Sequence, residues 1–215
     1  MNDLDRDVAG AARAHRAVVG ALRDLTDDQV VQPSLLPGWT VGHVATHIAR
    51  NADGHVRMLA AAMRGEIGQM YPGGRDQRTA DIDAGSRRSA AALALDVSDS
   101  AAQLEATWAA MSSEAWAGHG SSIAGTMVMS DLPVIRWREV AVHHADLGIG
   151  YSWSDWDADY VRLELARLTM LWASRKPMGL TTLPPQALSA STHQRLAWLL
   201  GREVIDGLEP AGIMG

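Results

Sequence analysis

Cysteine is missing from this 215-residue chain. Its absence removes disulfides, thiolate metal ligands and any nucleophilic thiol carried by the protein itself. Phenylalanine is missing too, while tryptophan reaches 8, so the large aromatic share of the core falls to Trp. Of the 19 basic residues only Lys176 is a lysine, a bias of the kind a GC-rich genome produces. No apolar run approaches the roughly 18 residues a membrane span needs. The opening segment MNDLDRDVAG lacks the basic start and apolar stretch of a signal peptide, so a cytoplasmic protein is expected. A net charge of -6, with no cluster of cations, gives no reason to expect nucleic acid as a partner.

What is present suffices for a sizeable core. A hydrophobic share of 47% and a charged share of 20% are ordinary for a globular protein, and the length fits one large domain with or without a small appendage. Residues 3 to 24 carry apolar side chains at helical spacing. QPSLLPGWT, residues 32 to 40, reads as a loop by its prolines and glycine, and Thr40 as the cap of a helix running towards Arg64. The Gly-, Asp- and Arg-rich stretch from 68 to 86 reads as a long connection, of a kind that is often functional. Residues 86 to 112 read as a third long helix, GHGSSIAGTMVMS as irregular or a short hairpin, and Asp131 to Leu147 as a fourth helix with Pro133 in its first turn. A fifth helix is expected from Ser154, with Asp157 three residues on as a capping-box partner. MGLTTLPPQALSAS suits one or two short strands, and THQRLAWLLGR a short helix.

The chemistry concentrates in two of these helices. In IRWREVAVHHADLG, residues 135 to 148, Glu139 lies four residues before His143, so the two project side by side. In GWTVGHVATHIARNADGH, His43 and His47 are also four apart. His43 sits three residues after Thr40, where a polar side chain folds back onto the helix start; His47 lies one turn deeper among apolar neighbours. One ligand from the second helix and two from the fourth would give an N, N, O set, of the sort found in helical-bundle metal sites, with a coordination position left open. Spacing alone leaves two readings open: a metal site, or a surface Glu–His pair beside a hydrogen-bonded core histidine. His144 points about 100° away from His143 and is no ligand from that face. Asp146 is placed to orient an imidazole, or is an ordinary helix-end acid. Arg136 and Arg138 read as solvated charge.

The paired segments LPGWTVGHVATHIARNADG and WREVAVHHADLG resemble the mycothiol-dependent maleylpyruvate isomerase family, within the DinB/YfiT-like metal-binding bundles. The resemblance runs over about residues 1 to 175, and more loosely over the tail. It implies a mainly α fold: a DinB-like up-and-down four-helix bundle over residues 1–175, with a small α/β C-terminal segment over 176–215. It also implies His47, Glu139 and His143 as metal ligands and catalytic residues. Met70 and Tyr71 match the family's MY segment, and Arg75 to Ser86 resembles its substrate-side loop. In LLGRE, Arg202 matches an arginine implicated in catalysis or anion binding. Simpler readings stand beside these: a cation complementing a helix C-terminus for Arg202, and a loop aromatic covering the core for Tyr71.

The implied activity is a metal- and small-thiol-dependent cis–trans isomerase that converts maleylpyruvate to fumarylpyruvate in gentisate catabolism, a route of aromatic breakdown. A thiolate adds to the activated alkene, the new single bond rotates, and elimination gives the trans isomer. With no Cys in the chain, the thiol has to be diffusible, mycothiol or another of low molecular weight. Zinc suits the ligands, as do nickel, iron or manganese. Arg202, with Arg75 or Arg78, would meet the substrate's carboxylates, and Tyr71, Arg75 and Arg78 would line the cofactor side. Expected partners are the small dicarboxylate and the thiol, with neither nucleic acid nor membrane, on a monomer or homodimer. Two alternatives use the same residues: a thiol S-transferase acting on an electrophilic metabolite, and a non-catalytic metal-binding DinB-like protein.

Overall fold

Helix starts in this chain are set by short polar caps. Asn2 accepts from Asp5 N at 2.8 Å and opens α1 (Asp3–Leu22). Thr26 and Gln29 box the short α2 (Asp27–Val30). Thr40 opens α3 (Val41–Ala62), and there His43 itself closes the capping box, its Nδ1 2.8 Å from the Thr40 hydroxyl. Each such cap satisfies backbone donors that a helix start leaves orphaned. Further elements of the computed structural model are α4 (Gly74–Gly85), α5 (Ala90–Ala109), α6 (Ser113–Trp116), α7 (Leu132–Asp146), α8 (Ala158–Ala173), α9 (Pro185–Ser189) and α10 (Thr192–Leu199). The structure describes residues 2–123, 125–175 and 181–213.

Two compact units form, residues 1–151 and 152–215. In the first, the long helices neighbour one another in the order α1, α5, α3, α7, the DinB-like four-helix bundle expected from the sequence. Val18 and Leu22 of α1, Val44 and Ile48 of α3, Leu93 and Val97 of α5 and Val140 of α7 share one buried cluster. A small sheet closes one end of the helices' connections. Its β1 (Gly68–Gln69) runs parallel to β2 (His119–Ser122), which pairs antiparallel with β3 (Gly125–Val128) in the register Gly120 to Met127. GHGSSIAGTMVMS is therefore a hairpin.

Four expectations change. The stretch 68–86 is not an open connection: α4 forms within it, anchored by one fully buried apolar residue, Ile82. Ser154 and Asp157 do not share a capping box; Ser152 and Asp155 box a single turn, and Asp157 alone caps α8 by accepting from Asp159 N and Tyr160 N. In the second unit no strand occurs among the described residues. Instead of a strand, Pro185 starts the turn of α9, its fixed φ suited to a first helical position; residues 178–180 of that expected stretch lie outside the described residues. The unit boundary also falls at 151/152 rather than 175/176. Within the second unit α8 packs against α10, with Trp172 and Trp198 at 5.3 Å between ring centroids. No helix among the described residues is long and apolar enough to cross a membrane.

The closest approach of α1 to α7 rests on one small residue. A Cβ on Gly10 would overlap the Trp137 ring, which is itself buried. Gly10→Ala is expected to lower the unfolding free energy by about 1–3 kcal/mol, the usual cost of overpacking a tight contact. Urea denaturation measures it, and an unchanged midpoint would contradict the contact.

Candidate metal centre

Helix periodicity puts His47 on the inward face of α3, and Glu139 and His143 on that of α7. Glu139 Oε2 lies 3.3 Å from His47 Nε2 and 3.5 Å from His143 Nε2. One ligand-capable atom from each residue falls within 4.8 Å of the others. A tetrahedral zinc with bonds of about 2.1 Å has donor–donor edges of about 3.4 Å, so the spacing and the N, N, O chemistry both fit a metal. The two imidazoles stand edge to face, 4.6 Å between centroids at 82°, as nitrogens converging on one point from two helices would.

Outer partners hold the rings. Asp146 Oδ2 lies 2.8 Å from His143 Nδ1, which directs Nε2 inward and makes Asp146 the orienting acid rather than a helix-end charge. Trp39 packs its ring against His47 at 5.6 Å, and the Arg78 guanidinium lies over the Trp39 ring at 5.8 Å. Arg78 Nη2 also donates to His47 Nδ1 at 3.2 Å. Guanidinium only donates, so here Nε2 carries the His47 proton and gives it to Glu139. A metal at Nε2 requires the proton on Nδ1, and then Arg78 parts from it. His43, engaged by the Thr40 cap, is no member of the group, and the buried His144 stacks on Tyr151 instead.

The triad borders a cavity of about 380 Å³. From α3 it is lined by His47, Asn51 and His55; from α7 by Ile135, Arg138, Glu139 and His143; across from them stand Met70, Tyr71 and Arg78 and the hairpin residues Ser122, Ile123 and Met127. Of the remaining residues singled out in the sequence, Arg75 is exposed on α4. Arg202 belongs to the second unit, just past α10, where its Nη1 donates to Leu200 O at 2.9 Å. Asn51 and His55 were not read as site residues, although HIARNADGH spaces them four apart from His47 and from each other.

Arg136 overturns its expected role. It is 0% exposed. Its Nε donates to His15 Nε2 at 2.9 Å, and its Nη1 to Ile48 O at 2.9 Å and Asn51 Oδ1 at 2.8 Å. His15 Nδ1 in turn meets Glu105 Oε1 at 2.7 Å. Arg136 Nη2, His55 Nδ1 and the Tyr71 hydroxyl are buried with no hydrogen-bond partner among the described residues, each at a desolvation cost of about 1–3 kcal/mol.

These surroundings split the two ligand histidines. Burial lowers His47 to about 4, against the pull of its Glu139 hydrogen bond, with the charges of His143 and Arg78 adding to the fall. Burial would lower His143 as well, but Asp146 and Glu139 outweigh it and raise it to about 9. Glu139, which burial alone would raise, is held well below the usual carboxylate range by the two histidines.

Comparison with known proteins follows the same lines. The profile of the mycothiol maleylpyruvate isomerase N-terminal domain matches residues 11–148. A crystal structure of the mycothiol-dependent maleylpyruvate isomerase superposes with a TM-score of 0.82 at 25% identity, over 94% of this chain and 90% of that one. A histidine-to-alanine mutant of such an isomerase gives 0.81 at 24% identity with the same coverage, and bears on the fold alone. Among curated proteins none matches.

The pH dependence of the metal-free protein follows from the histidines. His143, raised above the ordinary 6.5, contributes stability that is complete below about pH 6.5 and lost as pH rises through about 9. His47, lowered from 6.5, costs stability progressively as pH falls from about 6.5 towards 4. Urea midpoints of metal-free protein are therefore expected to peak near pH 6.5, with the His143 ring signals titrating near 9 by NMR. A His143 titration at its ordinary value would contradict the Asp146–His143–Glu139 arrangement.

Proposed function

The chain belongs to the mycothiol maleylpyruvate isomerase N-terminal domain family, and on that premise we propose that it is a zinc- and thiol-dependent isomerase converting maleylpyruvate to fumarylpyruvate. The observation that carries this reading is the convergence of His47, Glu139 and His143 on a cavity large enough for a small dicarboxylate, in a chain with no thiol of its own. His47, Glu139 and His143 would hold the metal. When bound, it would supply a Lewis acid, lowering the pKa of a bound thiol or polarising the oxygens of the substrate.

The chain's own groups prepare the rest. Asp146 keeps the His143 Nε2 lone pair aimed at the site, and Glu139 remains ionised beside it. Mycothiol, as thiolate, forms a C–S bond to the alkene while the π electrons move into the conjugated carbonyl. The central bond then rotates, and the enolate expels the thiolate, so the thiol is regenerated and no redox partner is needed. Arg78 on the cavity wall is suited to a substrate carboxylate, and Tyr71 to the cofactor side. Arg75 and Arg202 are retained as further anion-binding candidates, Arg202 with a part in catalysis. In this reading the protein acts in the cytoplasm on a small substrate and a small thiol, as a monomer or homodimer, within gentisate breakdown.

The test is a spectrophotometric assay of zinc-loaded protein with maleylpyruvate, and mycothiol, glutathione, cysteine or no thiol in turn. Conversion is expected only with a thiol. His47→Ala and Glu139→Ala should lose bound zinc and a hundredfold or more in rate, as loss of several kcal/mol of charge stabilisation implies. Full activity in metal-free His47→Ala would sink the metal mechanism. Conversion with no thiol at all would overturn the thiol mechanism, and a product that retains the thiol would replace the isomerase by an S-transferase.

A further inference from the structure

His43, His47, Asn51 and His55 recur at four-residue spacing on α3, and the last three line the same cavity. Asn51 and His55 are both buried, His55 to 1% exposure. The other inward positions of this helix are mostly apolar, among them Val44, Ile48, Met58 and Leu59, and the buried Thr46 spends its hydroxyl on Gly42 O, so packing alone does not call for a carboxamide and an imidazole there. His55 Nδ1 has no hydrogen-bond partner among the described residues, and neither has the hydroxyl of Tyr71 across the cavity. Tyr71 is nevertheless held firmly: Arg57 clamps the preceding Met70 carbonyl through Nε at 3.1 Å and Nη2 at 2.7 Å.

Asn51 is engaged in one direction only. Its Oδ1 takes Arg136 Nη1, so the group it has left for a ligand is the NH2, with two donors. Behind it, Arg136 is a fully buried cation whose hydrogen-bond partners among the described residues are a neutral histidine, a backbone carbonyl and this carboxamide, none of them an anion. Burial and the Arg136 charge push His55 down to about 3, so its ring is neutral at ordinary pH and offers one N–H. This wall therefore presents donors backed by a buried guanidinium, with Glu139 the foremost opposing charge. An oxyanion satisfies both; an apolar group would leave the donors unpartnered, and a cation would be repelled.

We propose that Asn51, His55 and Tyr71, backed by Arg136, form an oxyanion subsite that binds one carboxylate of a small dicarboxylate beside the His47, Glu139 and His143 group. The proposal rests on the isomerase reading for the identity of the dicarboxylate. Its three ligand-facing groups act by binding and so set substrate selection, whereas Arg136 is a positioning residue that acts through Asn51.

Maleate, a dicarboxylate with no keto group, serves as the probe, titrated calorimetrically into the zinc-loaded and metal-free protein. Tyr71→Phe removes a buried hydroxyl that makes no close hydrogen bond and has Arg78 as its foremost electrostatic neighbour, so its melting temperature should change little while maleate affinity falls about ten- to hundredfold, the worth of a hydrogen bond to a charged group. Asn51→Asp keeps the side-chain shape but turns the cation's field inward, and should weaken maleate at least about tenfold. Both variants should raise KM for a dicarboxylate substrate more than they lower kcat. Absence of maleate binding by the wild type up to about 10 mM, or wild-type affinity in both variants, would overturn the subsite. If maleate binding is lost in the variants but no protein isomerises maleylpyruvate, the subsite stands and the isomerase reading falls. If isomerisation proceeds with KM unchanged in both variants, the subsite falls alone.

Discussion

One buried guanidinium ties the bundle together at the level of the site. Arg136 of α7 reaches His15 of α1, and through it Glu105 of α5, while its other arm binds Asn51 and the Ile48 carbonyl of α3. All four long helices thus share one polar relay. Because a guanidinium only donates, the relay has a single consistent protonation: His15 accepts at Nε2 and gives its Nδ1 proton to Glu105. Taking such a cation out of water is costly unless charge nearby compensates it. Burial lowers Arg136 to about 10, with Glu139 the foremost charge opposing that fall. The carboxylate that faces the two histidines is therefore also the one that makes Arg136 tolerable in the core.

From that constraint the asymmetry of the site follows. Glu139 stays ionised and is shared between His47 and His143. Only one of the histidines has a second carboxylate, Asp146, and that one holds a proton to high pH; the other, enclosed by Trp39 and faced by Arg78, stays neutral. A dication fits where this proton now sits. The same packing leaves Asn51, His55 and Tyr71 along the cavity with donors that the protein itself does not use.

Much of the site was legible from spacing. Thr40 marks the start of α3, and the i, i+4 rule puts His47 on one inward face and Glu139 with His143 on the other. Asp146 follows from one further turn. Arg136 was misread even though the same rule applies to it: it precedes Glu139 by three and His143 by seven, which sets it on their face. The usual expectation that arginine is solvated outweighed the periodicity, and only the position of His15, 121 residues away in sequence, reveals what the charge is for. Asn51 and His55 escaped notice although they continue the four-residue spacing that His47 begins on the cavity side. In the fold, α4 escaped notice because a single apolar residue, Ile82, anchors it and gives no visible period. The tail misled through its β-prone Thr181 and Thr182, where Pro185 instead starts a helical turn.

The claim on which the rest depends is that His47, Glu139 and His143 are one metal centre. Zinc K-edge X-ray absorption on the reconstituted protein tests it most directly. The expected result is one zinc per chain with two imidazole nitrogens, one carboxylate oxygen and one exogenous light atom, all at about 2.0–2.2 Å. Six oxygen scatterers, a single imidazole signature, or protein that retains no zinc after dialysis would contradict it.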